Sequence, residues 1–322
     1  MIQEYSRVLV TGGCGFIGSH IADQLLREGS EVTIIDNLDT GHLANVAGHQ
    51  GKKGFNFVQG DIRDFALVKE TMKDVDAVFH EAALASVTYS VKDPILTNDI
   101  NVTGTLNLLK ASADLHVKRF IYASSAAVYG DTLSPQKRED MTPNPRSPYG
   151  ISKLAAENYV RIFYRLYGLE TVSLRYFNVY GPRQRFDLQC AYGGVITIFT
   201  NRLLRGMPPI IFGDGEQTRD FVYVEDVVEA NMLALNRKEA AGEAFNVGTG
   251  LSVSVNQVAE TLKEIMNKKE LKNTYAPPRP ADGRHGYADI SNARRILGFR
   301  PKVGLKDGLT QLVEWYRNSI NS

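Results

Sequence analysis

Through the first half of the chain, short runs of β-branched and aliphatic residues alternate with longer stretches whose apolar positions recur at helical spacing. The runs at 8–11, 31–35, 55–58, 77–80, 120–123 and 171–175 read as strands. The stretches at 16–27, 66–73, 94–113 and 149–167 read as amphipathic helices. Strand and helix taking turns predict an α/β fold, a doubly wound parallel sheet covered by helices on both faces. Beyond about Tyr176 the regularity drops, and Gly181-Pro182, Gly193-Gly194, Pro208-Pro209 and Pro277-Pro278 punctuate the chain. The expected division is a sheet domain over residues 1–175, joined by segments near 219–248, and a smaller α/β lobe over residues 176–322 at the sheet's carboxyl edge.

Composition narrows the class. The chain has 322 residues, 43% of them hydrophobic and 23% charged, enough apolar material for a sizeable core. Lys+Arg number 37 against 36 Asp+Glu, and that near balance leaves no electrostatic footprint for nucleic acid or an anionic membrane. Cys14 and Cys190 are too few for a disulfide framework, so a reducing cytoplasm is expected. The opening residues lack a basic segment followed by an apolar one, and no run of apolar residues is long enough to span a bilayer. Neither secretion by the usual signal nor membrane insertion is expected.

Chemistry begins at Thr11-Gly12-Gly13-Cys14-Gly15-Phe16-Ile17-Gly18, between the first strand and the first helix. Glycines there let backbone N–H groups approach a pyrophosphate at the helix N-terminus. A tight strand-to-helix turn without ligand would carry the same residues, so the context decides. Asp36 ends the next strand, where a carboxylate accepts hydrogen bonds from an adenosine ribose, which makes the architecture Rossmann-type. Asn37 and Leu38 follow it, with no Arg to hold a 2′-phosphate, so NAD is favoured over NADP. Asp61 closes a third strand where an adenine amino group could be met, and equally reads as a loop or helix-cap aspartate.

Tyr149 and Lys153 lie four apart at the start of a predicted helix and so share a face. Ser124-Ser125 follows the strand at 120–123, at the carboxyl edge where open α/β sheets bind ligands. A phenol with a reference pKa of ~10 must lose roughly 3 units to act as a base near neutrality, about 4 kcal/mol of differential stabilisation. The Lys153 ammonium and a positive nicotinamide would supply it, while Ser125 orients the same substrate hydroxyl. His80-Glu81-Ala82-Ala83 begins like a zinc-protease helix, but Leu84 stands where the second histidine would be. No metal is expected.

Glycine loop, serine, tyrosine and lysine together resemble the extended short-chain dehydrogenase/reductase family over almost the whole chain. Arg175-Tyr176-Phe177-Asn178-Val179-Tyr180-Gly181-Pro182-Arg183, Gly213-Asp214-Gly215-Glu216-Gln217-Thr218-Arg219-Asp220-Phe221 and Phe245-Asn246-Val247-Gly248 are similar to its nucleotide-sugar branch. The resemblance implies Ser125, Tyr149 and Lys153 as the catalytic trio. It implies Gly12, Gly15, Phe16, Ile17, Gly18, Asp36, Asn37, Asp61, Ile62, Ala82, Ala83, Asn101, Tyr149, Lys153 and Tyr176 around NAD. For a UDP-sugar substrate it implies Val87, Ser125, Asn178, Val195, Arg219, Arg279, Asp282 and Gly286. Arginine agrees with phosphate recognition by paired donors, though each one alone also reads as a surface residue.

Within that branch, 4,6-dehydratases and glucuronate decarboxylases carry acidic residues between the serine or threonine and Val-Tyr-Gly. Here Ala126 and Ala127 precede Val128-Tyr129-Gly130, and alanine cannot move a proton. The expected reaction is a UDP-hexose 4-epimerisation through a transient 4-keto sugar. A nucleotide-hexuronate 4-epimerase and a non-catalytic dinucleotide-sensing regulator are the alternatives. The helix at 149–167 is apolar over more than the ~100° one core contact needs, and the resemblance places it with 94–113 in a homodimer interface. Gly286, two before Ala288-Asp289, stands where glucose-restricted relatives hold a bulky tyrosine, implying tolerance of an N-acetyl group. It equally reads as a turn glycine, and a one-residue shift would bring the Tyr287 ring to the same place.

Overall fold

The glycine turn connects strand β1 (Arg7–Thr11) to helix α1 (Phe16–Arg27), and β2 (Glu31–Asp36), β3 (Phe55–Gln59), α2 (Phe65–Thr71) and β4 (Ala77–His80) follow. The computed structural model describes residues 5–130, 134–185, 194–278 and 284–320. Next come α3 (Val87–Lys92), α4 (Pro94–Asn98), a π turn over Asp99–Thr103 and α5 (Gly104–Asp114). The helix expected over 94–113 is therefore interrupted. Asn101, in the π turn, bonds Leu84 N and O at 2.8 and 3.2 Å and Ser152 Oγ at 3.0 Å, and this side-chain anchor coincides with the break.

The strand β5 (Arg119–Ser125) runs two residues further than expected and includes the candidate serine. Short β6 (Gln136–Lys137) precedes α6 (Pro148–Tyr167) and β7 (Glu170–Tyr176). Helix α6 starts cleanly because the Ser147 hydroxyl accepts from Gly150 N at 3.1 Å and Pro148 opens the first turn; Gly168 ends it at φ 69°. The second half holds β8 (Asn178–Tyr180), α7 (Val195–Leu204), β9 (Ile210–Phe212), β10 (Thr218–Arg219), β11 (Phe221–Tyr223) and α8 (Val224–Asn236). It continues through β12 (Ala244–Val247), β13 (Val253–Ser254), α9 (Val255–Ile265), β14 (Thr274–Ala276), β15 (His285–Ala288) and α10 (Leu305–Ile320).

Seven parallel strands form the main sheet in the order β12-β7-β5-β4-β1-β2-β3. This is a Rossmann-type sheet, and its order reverses between β1 and β4, which opens a crevice at their carboxyl ends. Alternation within strands feeds the two faces. Val8, Val10 and Phe79 pack with Ile21 and Leu25 of α1 and Val227 of α8, whereas Leu9, Val78 and Phe120 pack with Leu108 of α5 and Val160 of α6. Beyond β7 the chain makes a separate core from Ile196, Phe199 and Leu203 of α7, Val258 and Leu262 of α9 and Leu312 of α10. It also returns to the main sheet, where β12 pairs with β7. A four-stranded sheet, β13-β10-β15-β6, ties β6 of the first half to the later strands. Among the described residues no helix is long and apolar enough to cross a membrane, and no cluster of three His, Cys, Asp or Glu side chains could hold a metal ion.

Candidate active site

At the crevice the glycine loop passes against the end of β4. A Cβ on Gly12 would come within 2.8 Å of Ala82 N, and one on Gly18 within 2.4 Å of Gly12 O, so side chains are excluded at both. Gly12 also takes a φ of 64°. Gly15 caps α1 with no side-chain hydrogen bond, and the first turn holds no acidic residue. The amides at Phe16 and Ile17 thus begin a twelve-residue helix suited to an anion.

Asp36 is buried at the end of β2, and its carboxylate accepts from Cys14 N at 3.0 Å and Leu38 N at 2.8 Å. Burial pushes its pKa up, against those two bonds. Asp61 is differently placed. It accepts from Arg63 N, Nε and Nη2 and from Asn37 Nδ2 at 2.8–3.2 Å, which fills the four sites a carboxylate offers. Arg63 holds its pKa down at about 2. An adenine amino group would have to displace one of these donors. The cap of α2 is Asp64, whose Oδ1 accepts from Leu67 N, so the helix-cap alternative for Asp61 falls. Ile62 is buried beside Gly104.

On the other side of the crevice, Ser125 at the end of β5 accepts from Ala127 N at 3.1 Å and acts on the half-buried Tyr149 phenol of α6. Lys153, one turn along, is buried and donates from Nζ to Ala123 O at 2.8 Å, with its ammonium 5.0 Å from the centre of the Tyr122 ring. Burial pushes Tyr149 up, opposed by Ser125, and pushes Lys153 down to about 8, opposed by Glu81. The expected lowering of the phenol is therefore not produced by the polypeptide's own surroundings. Desolvation outweighs what Ser125 returns, and the Lys153 ammonium uses one of its three N–H donors on Ala123 O.

His80 closes β4 in a satisfied relay. Ala82 N donates to Thr11 Oγ1 at 3.1 Å, Thr11 Oγ1 meets His80 Nδ1 at 2.8 Å, His80 Nε2 meets Thr105 Oγ1 at 2.8 Å, and Thr105 Oγ1 donates to Asn101 O at 2.6 Å. The last bond makes Thr105 an acceptor toward Nε2–H, so His80 is the neutral Nε2–H tautomer; burial pushes its pKa down to about 3. The relay fixes Ala82 and, with Ala83 after it, the floor under the glycine loop. Two residues that spacing did not single out join this side. Glu81 accepts from Tyr176 Oη at 2.9 Å, and Glu157 accepts from Ser124 Oγ and pairs with Arg175.

Asn178, Val195 and Arg219 line one cavity of about 230 Å³, together with Phe199, Phe212 and Phe221. Asn178 Nδ2 donates to Asp220 O at 2.8 Å, and Arg219 Nη1 to Thr218 O at 2.8 Å. Gly286 pairs with Arg219 across β15 and β10. Val87 does not join them; it opens α3 and is 51% exposed. Arg279 and Asp282 lie outside the described residues.

A glycine cradle, an uncapped helix terminus, a buried carboxylate after β2 and a Ser-Tyr-Lys set across the same crevice fit a dinucleotide. The model of the NAD dependent epimerase/dehydratase family matches residues 8–248. The chain belongs to that family, and its cofactor is NAD. A putative UDP-glucose 4-epimerase of Methanocaldococcus jannaschii is 44% identical over 315 residues, 97% of this chain and 99% of the relative. The structure of a Thermotoga maritima UDP-glucose 4-epimerase with UDP-glucose is 42% identical, with a TM-score of 0.91 over 98% of this chain and 99% of that one. A UDP-N-acetylglucosamine 4-epimerase of Methanobrevibacter ruminantium, in complex with UDP-N-acetylmuramic acid, is 38% identical, with a TM-score of 0.92 over 98% and 100%.

Proposed function

We propose that this chain is an NAD-dependent UDP-hexose 4-epimerase, acting on UDP-glucose and UDP-galactose and on their N-acetylated counterparts. The observation that carries the reading is Ser125 at the carboxyl edge of β5 acting on the Tyr149 phenol of α6, with Ala126 and Ala127 following the serine. One acid/base pair is present, and no further proton-transfer group follows it as a dehydratase would need. Tyr149 accepts the proton of the sugar 4-hydroxyl, and Ser125 holds that hydroxyl in line. Lys153 supplies positive charge that favours the phenolate. NAD, when bound, takes up and returns the hydride on carbon 4. Its pyrophosphate suits the amides after Gly15, and its adenosine ribose suits Asp36. The cavity between Asn178, Val195 and Arg219 suits the nucleotide half of the substrate, and the UDP-sugar relatives support the same assignment. Incubation with UDP-galactose is expected to give UDP-glucose with transient NADH absorbance; no conversion of any UDP-hexose would overturn the reading.

The same reading includes a homodimer. Val87 and Val91 of α3, Ile95 of α4 and Ile151, Leu166 and Tyr167 of α6 are 51–81% exposed, an apolar face for which a second copy is the natural cover. The scarcity of cysteine supports a cytoplasmic setting.

A further inference from the structure

Glu81 is the ionisable group in the crevice for which the proton transfer has no use. It follows β4 at the switch point, and the glycine loop lies against it, since a Cβ on Gly12 would stand 3.1 Å from Glu81 C. Every element around it contributes a polar group. Tyr176 of β7 donates to Glu81 Oε1 at 2.9 Å, and Asn231 of α8 holds Tyr176 Oη from behind at 2.7 Å while its amide is fixed on Val227 O at 2.8 Å. Lys153 of α6 is the cation acting on Glu81, and Glu81 is the anion acting on Lys153. Tyr122 of β5, pushed up in part by Glu81, and the neutral His80, which precedes Glu81 at the end of β4, are further titratable neighbours.

In a sheet of this order a dinucleotide lies across the switch point, with Asp36 marking the adenosine side. The nicotinamide must then fall on the β4, β5 and β7 side, within reach of Tyr149 and Ser125 if hydride is to move. A carboxylate held there is close to the one part of the cofactor whose charge changes, since the ring is a cation when oxidised and neutral when reduced. We propose that Glu81 sets the preference of this site for oxidised over reduced dinucleotide. An anionic Glu81 favours the cationic ring over the neutral one, so it makes the reduced state less stable and drives hydride back to the keto sugar. The Tyr176–Asn231 bracket positions it. This inference concerns cofactor binding and stands whichever sugar the enzyme takes.

Burial pushes Glu81 up to about 7, opposed by Tyr176 and Lys153. Its folded-state pKa is raised, so the anion, and with it the preference, is present above that pH and lost below it. The test is competitive exchange. The full chain is equilibrated with mixtures of NAD and NADH, and the bound ratio is read by nicotinamide absorbance, without any sugar. In the wild type the preference for NAD is expected to fall at least ~10-fold between about pH 8.5 and about pH 5.5, the size a single charge gives even from about 12 Å at an effective dielectric of ~20. Glu81→Gln is expected to show a lower ratio than the wild type at the higher pH and to lose the part of the pH dependence centred near 7, and Glu81→Asp to keep it. A wild-type ratio that does not change with pH, or a Glu81→Gln ratio equal to the wild type at the higher pH, overturns the assignment. Lys153 loses its proton around pH 8 and moves the ratio in the same direction, so the fall that wild type and Glu81→Gln share belongs to Lys153 and only the excess in the wild type to Glu81.

Discussion

Arg175 Nη2 and Glu157 Oε1 meet at 2.6 Å beneath the catalytic helix, with both side chains almost fully buried. Glu157 also receives Ser124 Oγ of β5, and Arg175 Nη1 donates to Tyr129 Oη at 2.8 Å, which donates in turn to Asn246 Oδ1 of β12 at 2.7 Å. Tyr149, Lys153 and Glu157 succeed one another at four-residue intervals on α6, so they share a face. The ion pair thereby anchors the helix that carries the proposed acid/base to β5, β7 and β12 at once.

Glu157→Gln leaves the Arg175 guanidinium buried without its counter-charge, and the expected loss of stability is ~3–5 kcal/mol. Replacing both partners, Glu157→Leu with Arg175→Met, is expected to recover part of that loss. Denaturant midpoints measure both. A loss below about 1 kcal/mol in the single variant would show that the pair is dispensable to the fold.

Tyr149→Phe removes the proposed phenolic proton acceptor while keeping the ring. Turnover of UDP-galactose is expected to fall at least ~100-fold with NAD binding retained. Calorimetry with NAD and a turnover assay separate the two effects. Near-normal turnover would place the base elsewhere.

The pH profile reports on Lys153. Burial pushes its pKa down to about 8, from the ordinary 10.5 of a lysine. The ammonium that favours the Tyr149 phenolate is present below that value and lost above it, so kcat/KM is expected to decline above about pH 8. A rate that stays level to about pH 10 would remove Lys153 from that role.

Ile95 of α4 is 81% exposed and Leu166 of α6 is 72% exposed. A glutamate at each would put charge into the proposed dimer face, and sedimentation is expected to change from dimer to monomer. Wild-type protein that sediments as a monomer at micromolar concentration would instead mean that this face has no partner of its own kind.

What could be read in the sequence was whatever chemistry is spaced locally. Gly12 to Gly18 and Tyr149 to Lys153 each lie within one turn or helix, so their separation in the chain is their separation in space. Glu81 and Glu157 carry no such signal. Their partners, Tyr176 and Asn231 for one and Ser124 and Arg175 for the other, arrive from other strands and helices, 18 to 150 residues away. The break at Asn101 escapes notice for a related reason, because a π turn leaves the apolar spacing of 94–113 nearly unchanged while its anchor at Leu84 lies outside the helix. Beyond Tyr176, strands of two or three residues are too short to show a period of two, and only their glycine and proline boundaries are visible.

Substrate size can be tested at Gly286. The glycine lies within β15, paired with Arg219, and its φ is outside the left-handed region, so a turn that demands glycine is not the reason for its presence. Tyr287 pairs with Gln136 of β6, and as its neighbour in the strand it points to the opposite face, so its ring does not stand in for the missing side chain. A Cβ at Gly286 would meet only Lys137 Cε, at 3.8 Å, an ordinary contact. The strand therefore tolerates a side chain, and on the proposed function a large one would take space beside the sugar. Wild type is expected to epimerise both UDP-galactose and UDP-N-acetylgalactosamine. Gly286→Tyr is expected to suppress the second selectively, by at least a few kcal/mol in kcat/KM if the ring occupies the acetamide position, with the first little changed. Comparing kcat/KM for the two substrates in both proteins decides the matter. Equal slowing of both, or wild-type rejection of the N-acetylated sugar, would mean that Gly286 does not govern substrate size.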